Sequence, residues 1–323
     1  MTPSVQPWLN CHPTGNQTSL VLLALALLPL LSCSAVRNHH GLLQQRAELW
    51  GFVEGESQLG DHRVHHWTGG EGRTVILVHG FGGDGLVTWW PQARRLARSH
   101  RVIIPDLLWF GGSDSAAKPG LDAQAQALAA LVDHLVPADE TVDVVGISYG
   151  GFVALRYGAL RPERQHRLVM MDSPGPLFSA EDHAGLLERF AVDSVEDLFV
   201  PGEAEAIQRL LDLAYHRPPP LPRSLLEDMR RTIFSAHQDE QRALLADLQS
   251  DRDRYSEITP AVYQASLVIW GRHDRVFPLA LGRALAQLLG AELAIVEESA
   301  HAPNVERPRA TSDLLESFLS TDS

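Results

Sequence analysis

Short apolar runs alternate with longer stretches of helical periodicity along most of the chain. Runs of four or five residues rich in Val, Ile and Leu are typical of strands that are covered on both faces of a sheet. Such strands are predicted at 74–78, 101–105, 142–145, 168–171, 267–270 and 293–296. Helices are predicted between them at 91–99, 121–135, 151–160, 279–289 and 310–319. This alternation indicates an α/β protein with a mainly parallel, doubly wound sheet.

Two segments depart from the alternation. Residues 48–78 contain the turn signals Gly60-Asp61 and Gly69-Gly70, which predict a hairpin followed by the first buried strand. Residues 175–260 show apolar residues at helical spacing and no convincing strand. We interpret 175–260 as a helical insertion in one α/β core. That core is assigned to residues 41–174 and 261–323.

The N-terminal segment has a pattern of its own. From Leu20 to Leu31 every residue is Leu, Val, Ala or Pro, a length that fits the apolar region of a signal peptide and is short for a membrane span. Leu30-Leu31-Ser32-Cys33 resembles the lipobox of bacterial lipoproteins, in which Cys33 would be lipidated. The first Lys or Arg is Arg37, whereas signal peptides usually begin with a positive charge. We interpret 1–40 as a signal peptide or a membrane or lipoprotein anchor, with a buried core helix as the alternative.

Composition narrows the class of protein. The chain has 27 Lys and Arg against 40 Asp and Glu, a net charge of −13, so it lacks the basic surface that nucleic acids require. Cys11 and Cys33 are its two cysteines, which excludes a disulfide framework and a cysteine-based zinc site. His62, His65 and His66 are close in sequence, but they fall in the predicted hairpin without a nearby cysteine. We expect no metal site and no organic cofactor.

A nucleophile is predicted where the strand at 142–145 meets the helix at 151–160. The sequence there is Gly146-Ile147-Ser148-Tyr149-Gly150, the Gly-x-Ser-x-Gly pattern of a nucleophile elbow. The strained turn of such an elbow exposes the serine hydroxyl, and the glycines leave room where strand and helix approach each other. The helix N-terminus favours negative charge beside the serine. The alternative is a Gly/Ser turn that only begins a helix.

A nucleophilic serine needs a base and an orienting acid, which follow it in the chain as acid and then histidine. Asp274 and His301 both come after predicted strands, at the sheet edge where α/β proteins place their sites. Asp172, after the strand at 168–171, is an alternative acid. His273 lies beside Asp274, but adjacent side chains usually diverge. We favour Ser148, His301 and Asp274 as the catalytic residues.

The Gly-rich loop after the strand at 74–78 is the candidate for an oxyanion hole. It reads His79-Gly80-Phe81-Gly82-Gly83, and the N–H groups of Phe81 and Tyr149 are the predicted donors. Aromatic residues are frequent in the predicted loops near this site. We assign Trp109 and Phe110 to the substrate pocket, with core packing as the alternative for such aromatic side chains.

Taken together, these segments resemble the α/β-hydrolase fold family over residues 48–323. The landmarks are His79-Gly80, Pro105-Asp106-Leu107, the elbow around Ser148, and Asp274 followed by His301. The chain looks most like monoacylglycerol-lipase-type esterases and lipases, whose cap corresponds to 175–260. One departure is Trp109, which stands where relatives usually have glycine. The resemblance implies a serine hydrolase that cleaves carboxylic esters of small molecules or lipids.

Alternatives within this fold differ in the nucleophile. Haloalkane dehalogenases and epoxide hydrolases need a carboxylate at the elbow, so Ser148 disfavours both. Carbon–carbon bond hydrolases and perhydrolases use the same serine triad and stay open as alternatives. A non-catalytic binding protein on the same scaffold is also possible in principle, although all three triad positions are filled here. The N-terminal pattern predicts an exported or membrane-associated protein.

Overall fold

The computed structural model describes residues 34–250 and 265–320. Its strands form one mixed sheet in the order β1-β2-β4-β3-β6-β7-β8-β9, with β5 paired to β2. The strands are β1 (Val53–Leu59), β2 (His62–Gly69), β3 (Thr74–Val78), β4 (Arg101–Pro105), β5 (Asp114–Ser115), β6 (Val142–Ile147), β7 (Gln165–Met171), β8 (Ala265–Gly271) and β9 (Glu292–Val296). Only pairings that involve β2 are antiparallel, and β4-β3-β6-β7-β8-β9 are parallel.

Helices cover both faces of the sheet. They are α1 (Ala35–Leu49), α2 (Gly85–Leu96), α3 (Leu121–Leu135), α4 (Tyr149–Leu160), α5 (Ala180–Phe190), α6 (Val195–Phe199), α7 (Ala204–Ala214), α8 (Arg223–Thr232), α9 (Gln238–Ser250), α10 (Leu279–Leu289), α11 (Pro303–Glu306) and α12 (Pro308–Leu319). A short 3₁₀ turn, Gly175–Leu177, follows β7. The predicted α/β fold with its mainly parallel sheet is confirmed.

Alternating side chains of each parallel strand enter different cores, which explains the unbroken apolar runs. In β3, Ile76 and Val78 belong to one cluster of buried residues. Val75 and Leu77 belong to a second cluster that also contains residues of α1, α2 and α12. Because both faces of the strand are buried, no polar alternation remains in its sequence.

The helix predicted at 91–99 begins earlier than expected, at Gly85. The predicted helix begins at Pro91, and proline is most favourable in the first turn of a helix. In the structure the side chain of Asp84 caps the helix by accepting a hydrogen bond from the N–H of Val87. Pro91 lies inside the helix, so the cap, not the proline, sets the start.

The helix α1 crosses the segment boundary placed at residue 40 and was not predicted. Its N-cap Ser34 donates its hydroxyl to a carboxylate oxygen of Asp228 in α8, and Leu43 and Ala47 are buried against the second core. Cys33 and the apolar run before it lie outside the described residues. Among the helices in the described ranges, none has both the length and the apolarity needed to cross a membrane.

The helices α5 to α9 all lie between β7 and β8. This is the segment in which the sequence predicts a helical cap, and residues 175–250 contain helices and turns without a strand. The predicted end of the cap at 260 lies outside the described residues. The cap leaves the sheet after Met171 in β7, beside the strand ends that carry the site.

Candidate active site

The turn between β6 and α4 holds Ser148 in a strained conformation. Its backbone φ is 52°, in the left-handed region that a residue with a side chain rarely adopts. A Cβ atom at Gly146 would collide with the backbone of Gly150, and a Cβ atom at Gly150 would collide with the carbonyl oxygens of Val78 and His79. Both glycines are therefore required by the close approach of strand, helix and loop, and Ser148 stays partly exposed.

The three predicted triad residues form one chain of hydrogen bonds. His301 Nε2 lies 2.9 Å from Ser148 Oγ, and His301 Nδ1 lies 2.9 Å from Asp274 Oδ2. Since Asp274 accepts, Nδ1 carries the proton and Nε2 is free to accept the serine proton. The structure therefore brings together side chains from the ends of β6, β8 and β9.

The loop after β8 holds the Asp274 carboxylate in place. Oδ1 accepts hydrogen bonds from the N–H groups of Val276 and Phe277, at 2.8 and 3.0 Å. Asp274 and His301 are both buried, so the bond between them is shielded from water. Hydrogen bonds to an ionised oxygen are stronger than neutral ones, and three donors fix Asp274 as the anion of the triad.

The alternative acid, Asp172, lies next to Asp274 without a hydrogen bond to His301. Asp172 is fully buried, and its Oδ1 accepts the N–H of Gly271 at 2.8 Å. Burial and the negative charge of Asp274 raise the pKa of Asp172 well above its usual range. Asp274 is therefore the residue that orients His301, and Asp172 is a second carboxyl group close to both.

The loop after β3 runs directly past the nucleophile. A Cβ atom at Gly80 would lie 3.0 Å from the Cβ of Ser148 and 3.6 Å from its hydroxyl oxygen. Next along this loop, the Phe81 ring packs against the Tyr149 ring at 5.0 Å between centroids. The N–H of Tyr149 is the first N–H group of α4, directly after the nucleophile. The structure thus places Phe81 and Tyr149, the predicted oxyanion donors, next to each other beside Ser148.

His79 fixes the orientation of that loop, a role that the motif alone did not reveal. Its Nε2 accepts the N–H of Leu107 at 2.9 Å, so Nδ1 carries the proton and donates to the carbonyl oxygen of Gly80 at 2.7 Å. In a trans peptide, C=O and N–H point in opposite directions. The bond to Gly80 therefore turns the N–H of Phe81 away from His79.

Glu306 is a second contributor that the sequence analysis did not assign. Its Oε2 accepts the N–H of Ala300, beside His301, at 2.7 Å. Its Oε1 accepts the N–H of His216, in the cap, at 2.8 Å. One buried carboxylate thus joins the histidine loop to the cap. No local motif indicated this role, because the two partners of Glu306 lie in different segments of the chain.

A cavity of about 1960 Å³ opens from Ser148 between the core and the cap. Trp109 and Phe110, the predicted pocket residues, are both in its wall together with Phe81, Phe199 and Phe234. The Phe81 ring contacts the rings of Phe110 and Phe199. Trp109 is buried and has a φ of 66°. The cavity wall therefore contains a cluster of aromatic rings, together with charged side chains such as Arg217 and Arg307.

The remaining candidate histidines have separate partners. His62 pairs with Ser115, His66 with Ser57, and His65 lies between Asp106 and Glu54. His273 stacks on His216 of the cap with 4.2 Å between ring centroids.

The fold and the site define a hydrolase, and the comparisons with known proteins agree. The family model described as the alpha/beta hydrolase fold matches residues 73–308. The chain belongs to this family.

Its relatives differ in the substrates for which they are named. The 2-hydroxymuconate semialdehyde hydrolase of Pseudomonas putida is 31% identical over 267 residues, which cover 77% of this chain and 88% of that protein. The structure of a membrane phospholipase A, titled a bacterial virulence factor, aligns with a TM-score of 0.69 and 26% identity over 94% of this chain and 98% of that one. A thermophilic esterase from Thermogutta terrifontis aligns with a TM-score of 0.67 and 24% identity over 83% and 98% of the two chains.

Proposed function

We propose that the chain is a serine hydrolase that cleaves carboxylic esters, with lipid or acylglycerol esters as its substrates. The hydrogen-bonded chain from Ser148 through His301 to Asp274 is the observation that carries this proposal. It combines an exposed nucleophile, a base of defined tautomer and a buried acid, which is the arrangement that acyl transfer needs.

In the proposed reaction, Ser148 Oγ attacks the ester carbonyl while His301 Nε2 accepts the hydroxyl proton. Asp274 stabilises the imidazolium that forms. The N–H groups of Phe81 and Tyr149 bind the oxyanion, and each contributes on the order of 3 kcal/mol. His301 then donates its proton to the alkoxide as the alcohol leaves. Water repeats these steps on the acyl-enzyme and releases the acid.

The cavity supports long apolar acyl groups as substrates. Its volume of about 1960 Å³ exceeds the roughly 300–1,000 Å³ that is usual for a small-ligand pocket. The aromatic wall next to Ser148 suits an acyl chain better than a charged group. Similarity to a membrane phospholipase A over 94% of the chain supports a lipid ester for the same site.

A second candidate reaction is carbon–carbon bond hydrolysis. It is favoured by relatives such as the 2-hydroxymuconate semialdehyde hydrolase at 31% identity, because these enzymes belong to the same family. A substrate of that type carries a carboxylate, which needs a cationic or hydrogen-bonding partner, and arginines such as Arg217 and Arg307 are part of the cavity wall. A direct comparison of ester and dienoate substrates separates the two reactions.

The decisive experiment is a substrate panel on the full chain. It contains p-nitrophenyl esters of increasing acyl length, a monoacylglycerol, a phospholipid and a 2-hydroxy-6-oxo-dienoate. We expect hydrolysis that increases from acetyl to medium and long acyl esters, and loss of labelling by a fluorophosphonate probe in Ser148→Ala. The matched control is Ser179→Ala, which changes an exposed helix cap. Equal labelling of wild type and Ser148→Ala would refute the nucleophile, and turnover of the dienoate alone would favour the second reaction.

Export or membrane attachment through residues 1–40 is part of the same proposal. The apolar run 20–31 and the lipobox-like Leu30-Leu31-Ser32-Cys33 support it. Mass spectrometry of the mature protein tests it. We expect a mature N-terminus at Cys33 that carries acyl groups, and an intact Met1 would contradict lipidation.

A further inference from the structure

A second buried carboxyl group lies beside the triad, and the proposed reaction does not use it. Asp172 follows β7, which is the parallel neighbour of β8, and Asp274 is in the loop after β8. The N–H of Asp172 donates to the carbonyl oxygen of Ile269, and Asp172 Oδ1 accepts the N–H of Gly271. One oxygen of Asp172, one oxygen of Asp274 and one ring nitrogen of His301 all lie within 4.8 Å of one another.

Two buried carboxylates at this distance repel each other strongly when both are ionised. Asp274 is stabilised as the anion by the N–H groups of Val276 and Phe277 and by His301. Asp172 has one such donor, Gly271, and its buried Oδ2 accepts no hydrogen bond from a donor in the described ranges. The proton of the pair therefore resides on Asp172.

The other ionisable groups facing Asp172 favour the same assignment. The negative charges of Asp274 and Glu306 both raise the pKa of Asp172, so both oppose its ionisation. His301 lies within 4.8 Å of the pair, and it becomes a cation only during the reaction. A protonated Asp172 can donate a hydrogen bond to Asp274, which leaves one negative charge shared by the pair.

We propose that Asp172 is a positioning residue that acts as a reserve acid for the triad. It holds a proton while Asp274 is ionised. When Asp274 is removed, Asp172 releases that proton to solvent and becomes the carboxylate that accepts the N–H of His301. The inference rests on the proposed function, because it concerns the same histidine and the same reaction.

The test compares two replacements of Asp274. Asp274→Asn places an amide N–H against His301 Nδ1 and so favours the wrong tautomer, whereas Asp274→Ala leaves room for His301 to turn to Asp172. We expect Asp274→Ala to keep at least about tenfold more kcat than Asp274→Asn, although alanine removes the acceptor for two backbone N–H groups. Adding Asp172→Asn to Asp274→Ala should abolish that advantage.

Asp143→Asn in the Asp274→Ala background is the matched control. Asp143 is also fully buried, but it lies near the start of β6, whereas Ser148 follows its end. We expect this double variant to keep the kcat of Asp274→Ala. The pH profile of Asp274→Ala should contain a limb from ionisation of Asp172, and Asp274→Ala with Asp172→Asn should lack that limb. Equal kcat values and equal pH profiles with and without Asp172 would overturn the proposal.

Infrared spectroscopy gives a measure that does not depend on activity. The difference spectrum of wild type minus Asp172→Asn at neutral pH should contain the C=O stretch of a neutral carboxylic acid. Absence of this band would overturn the proton assignment, and with it the reserve acid. Presence of the band in a protein that hydrolyses no ester would refute the proposed function alone, so the two failures can be distinguished.

Discussion

His79 Nδ1 donates a hydrogen bond of 2.7 Å to the carbonyl oxygen of Gly80. That oxygen and the N–H of Phe81 belong to the same peptide unit, so the imidazole fixes the direction of the predicted oxyanion donor. The side chain is completely buried and held at its other nitrogen by Leu107. His79 thus links the turn after β4 to the loop that passes the nucleophile.

The first prediction concerns this link. Replacing His79 with Phe removes the bond to Gly80 and frees the peptide to rotate. We expect kcat to fall by about 10- to 100-fold with little change in KM, because the donor is needed most in the transition state. Steady-state kinetics on a soluble ester measures the effect.

His100→Gln provides the control, since His100 is another buried histidine and hydrogen bonds to Ser99 in the turn after α2. Its kcat should stay close to that of wild type. An unchanged kcat in His79→Phe would contradict the role assigned to the imidazole.

The sequence predicted the sheet and the triad because both depend on local signals. Strands buried on both faces leave unbroken apolar runs, as in β3 and β4. Ser148 lies in a five-residue motif, and Asp274 and His301 follow recognisable strands. Fold and site are thus encoded within segments of about ten residues.

The features that the sequence did not predict depend on contacts between distant segments. α1 was missed because Leu43 and Ala47 are its only buried side chains and because Asp228 caps it from the distant α8. The role of Glu306 requires the cap and the histidine loop to meet. No pattern within either segment records such a contact.

The second prediction concerns the space around the elbow. A methyl group at Gly150 would collide with the carbonyl oxygens of Val78 and His79, and backbone atoms cannot move away as a side chain would. We expect Gly150→Ala to unfold the protein or to remove activity. Gly41→Ala is the control, because Gly41 lies in α1 with open space around it. There alanine should raise the free energy of unfolding by roughly 0.5–1 kcal/mol. Urea denaturation measures the free energy of unfolding of both variants, and an ester assay measures their activity. A folded and fully active Gly150→Ala would contradict the packing argument.

The third prediction concerns the buried carboxylate of Glu306. In Glu306→Gln a single carbonyl oxygen replaces two acceptors, so the N–H of Ala300 or that of His216 loses its partner. We expect a loss of about 1–3 kcal/mol in unfolding free energy, together with a lower kcat. The control, Glu297→Gln, removes an exposed ion pair with Arg272 and should change stability by less than about 1 kcal/mol. Equal stability of the two variants would argue against a joining role for Glu306.

The fourth prediction concerns pH. Burial alone would lower the pKa of His65, but hydrogen bonds and charges from Asp106 and Glu54 outweigh it and raise the pKa from 6.5 to about 9. A raised pKa in the folded state means that the folded protein binds the proton more tightly. The stabilisation from His65 is therefore complete below pH 6.5 and is lost as pH rises toward 9.

His65→Gln should accordingly be more destabilised at about pH 6 than at about pH 10. Urea midpoints of wild type and variant across this range measure it. His62→Gln, on the same strand, is the control with the opposite sign, because burial lowers the pKa of His62. Its stability relative to wild type should improve as pH falls. If the urea midpoints of wild type and His65→Gln differed by the same amount at every pH, the positive charge assigned to His65 would be refuted.

The last prediction concerns Trp109, which stands where the resemblance leads us to expect glycine. Its φ of 66° suits glycine and is unfavourable for any residue with a Cβ atom. Removing the buried indole should lower stability by about 3–5 kcal/mol through the cavity that it leaves. Trp109→Gly should nevertheless be more stable than Trp109→Ala by roughly 1–2 kcal/mol, because only glycine relieves the backbone.

Both Trp109 variants should also accept bulkier acyl groups, since the indole forms part of the cavity wall. Trp89→Ala is the matched control: Trp89 is fully buried in the second core, so its loss should destabilise the protein without changing the acyl-length profile. Urea denaturation and the ester series measure the two effects. If Trp109→Ala were the more stable of the pair, backbone strain at this position would be excluded. If the Trp109 variants had the same acyl-length profile as Trp89→Ala, Trp109 would not determine substrate specificity.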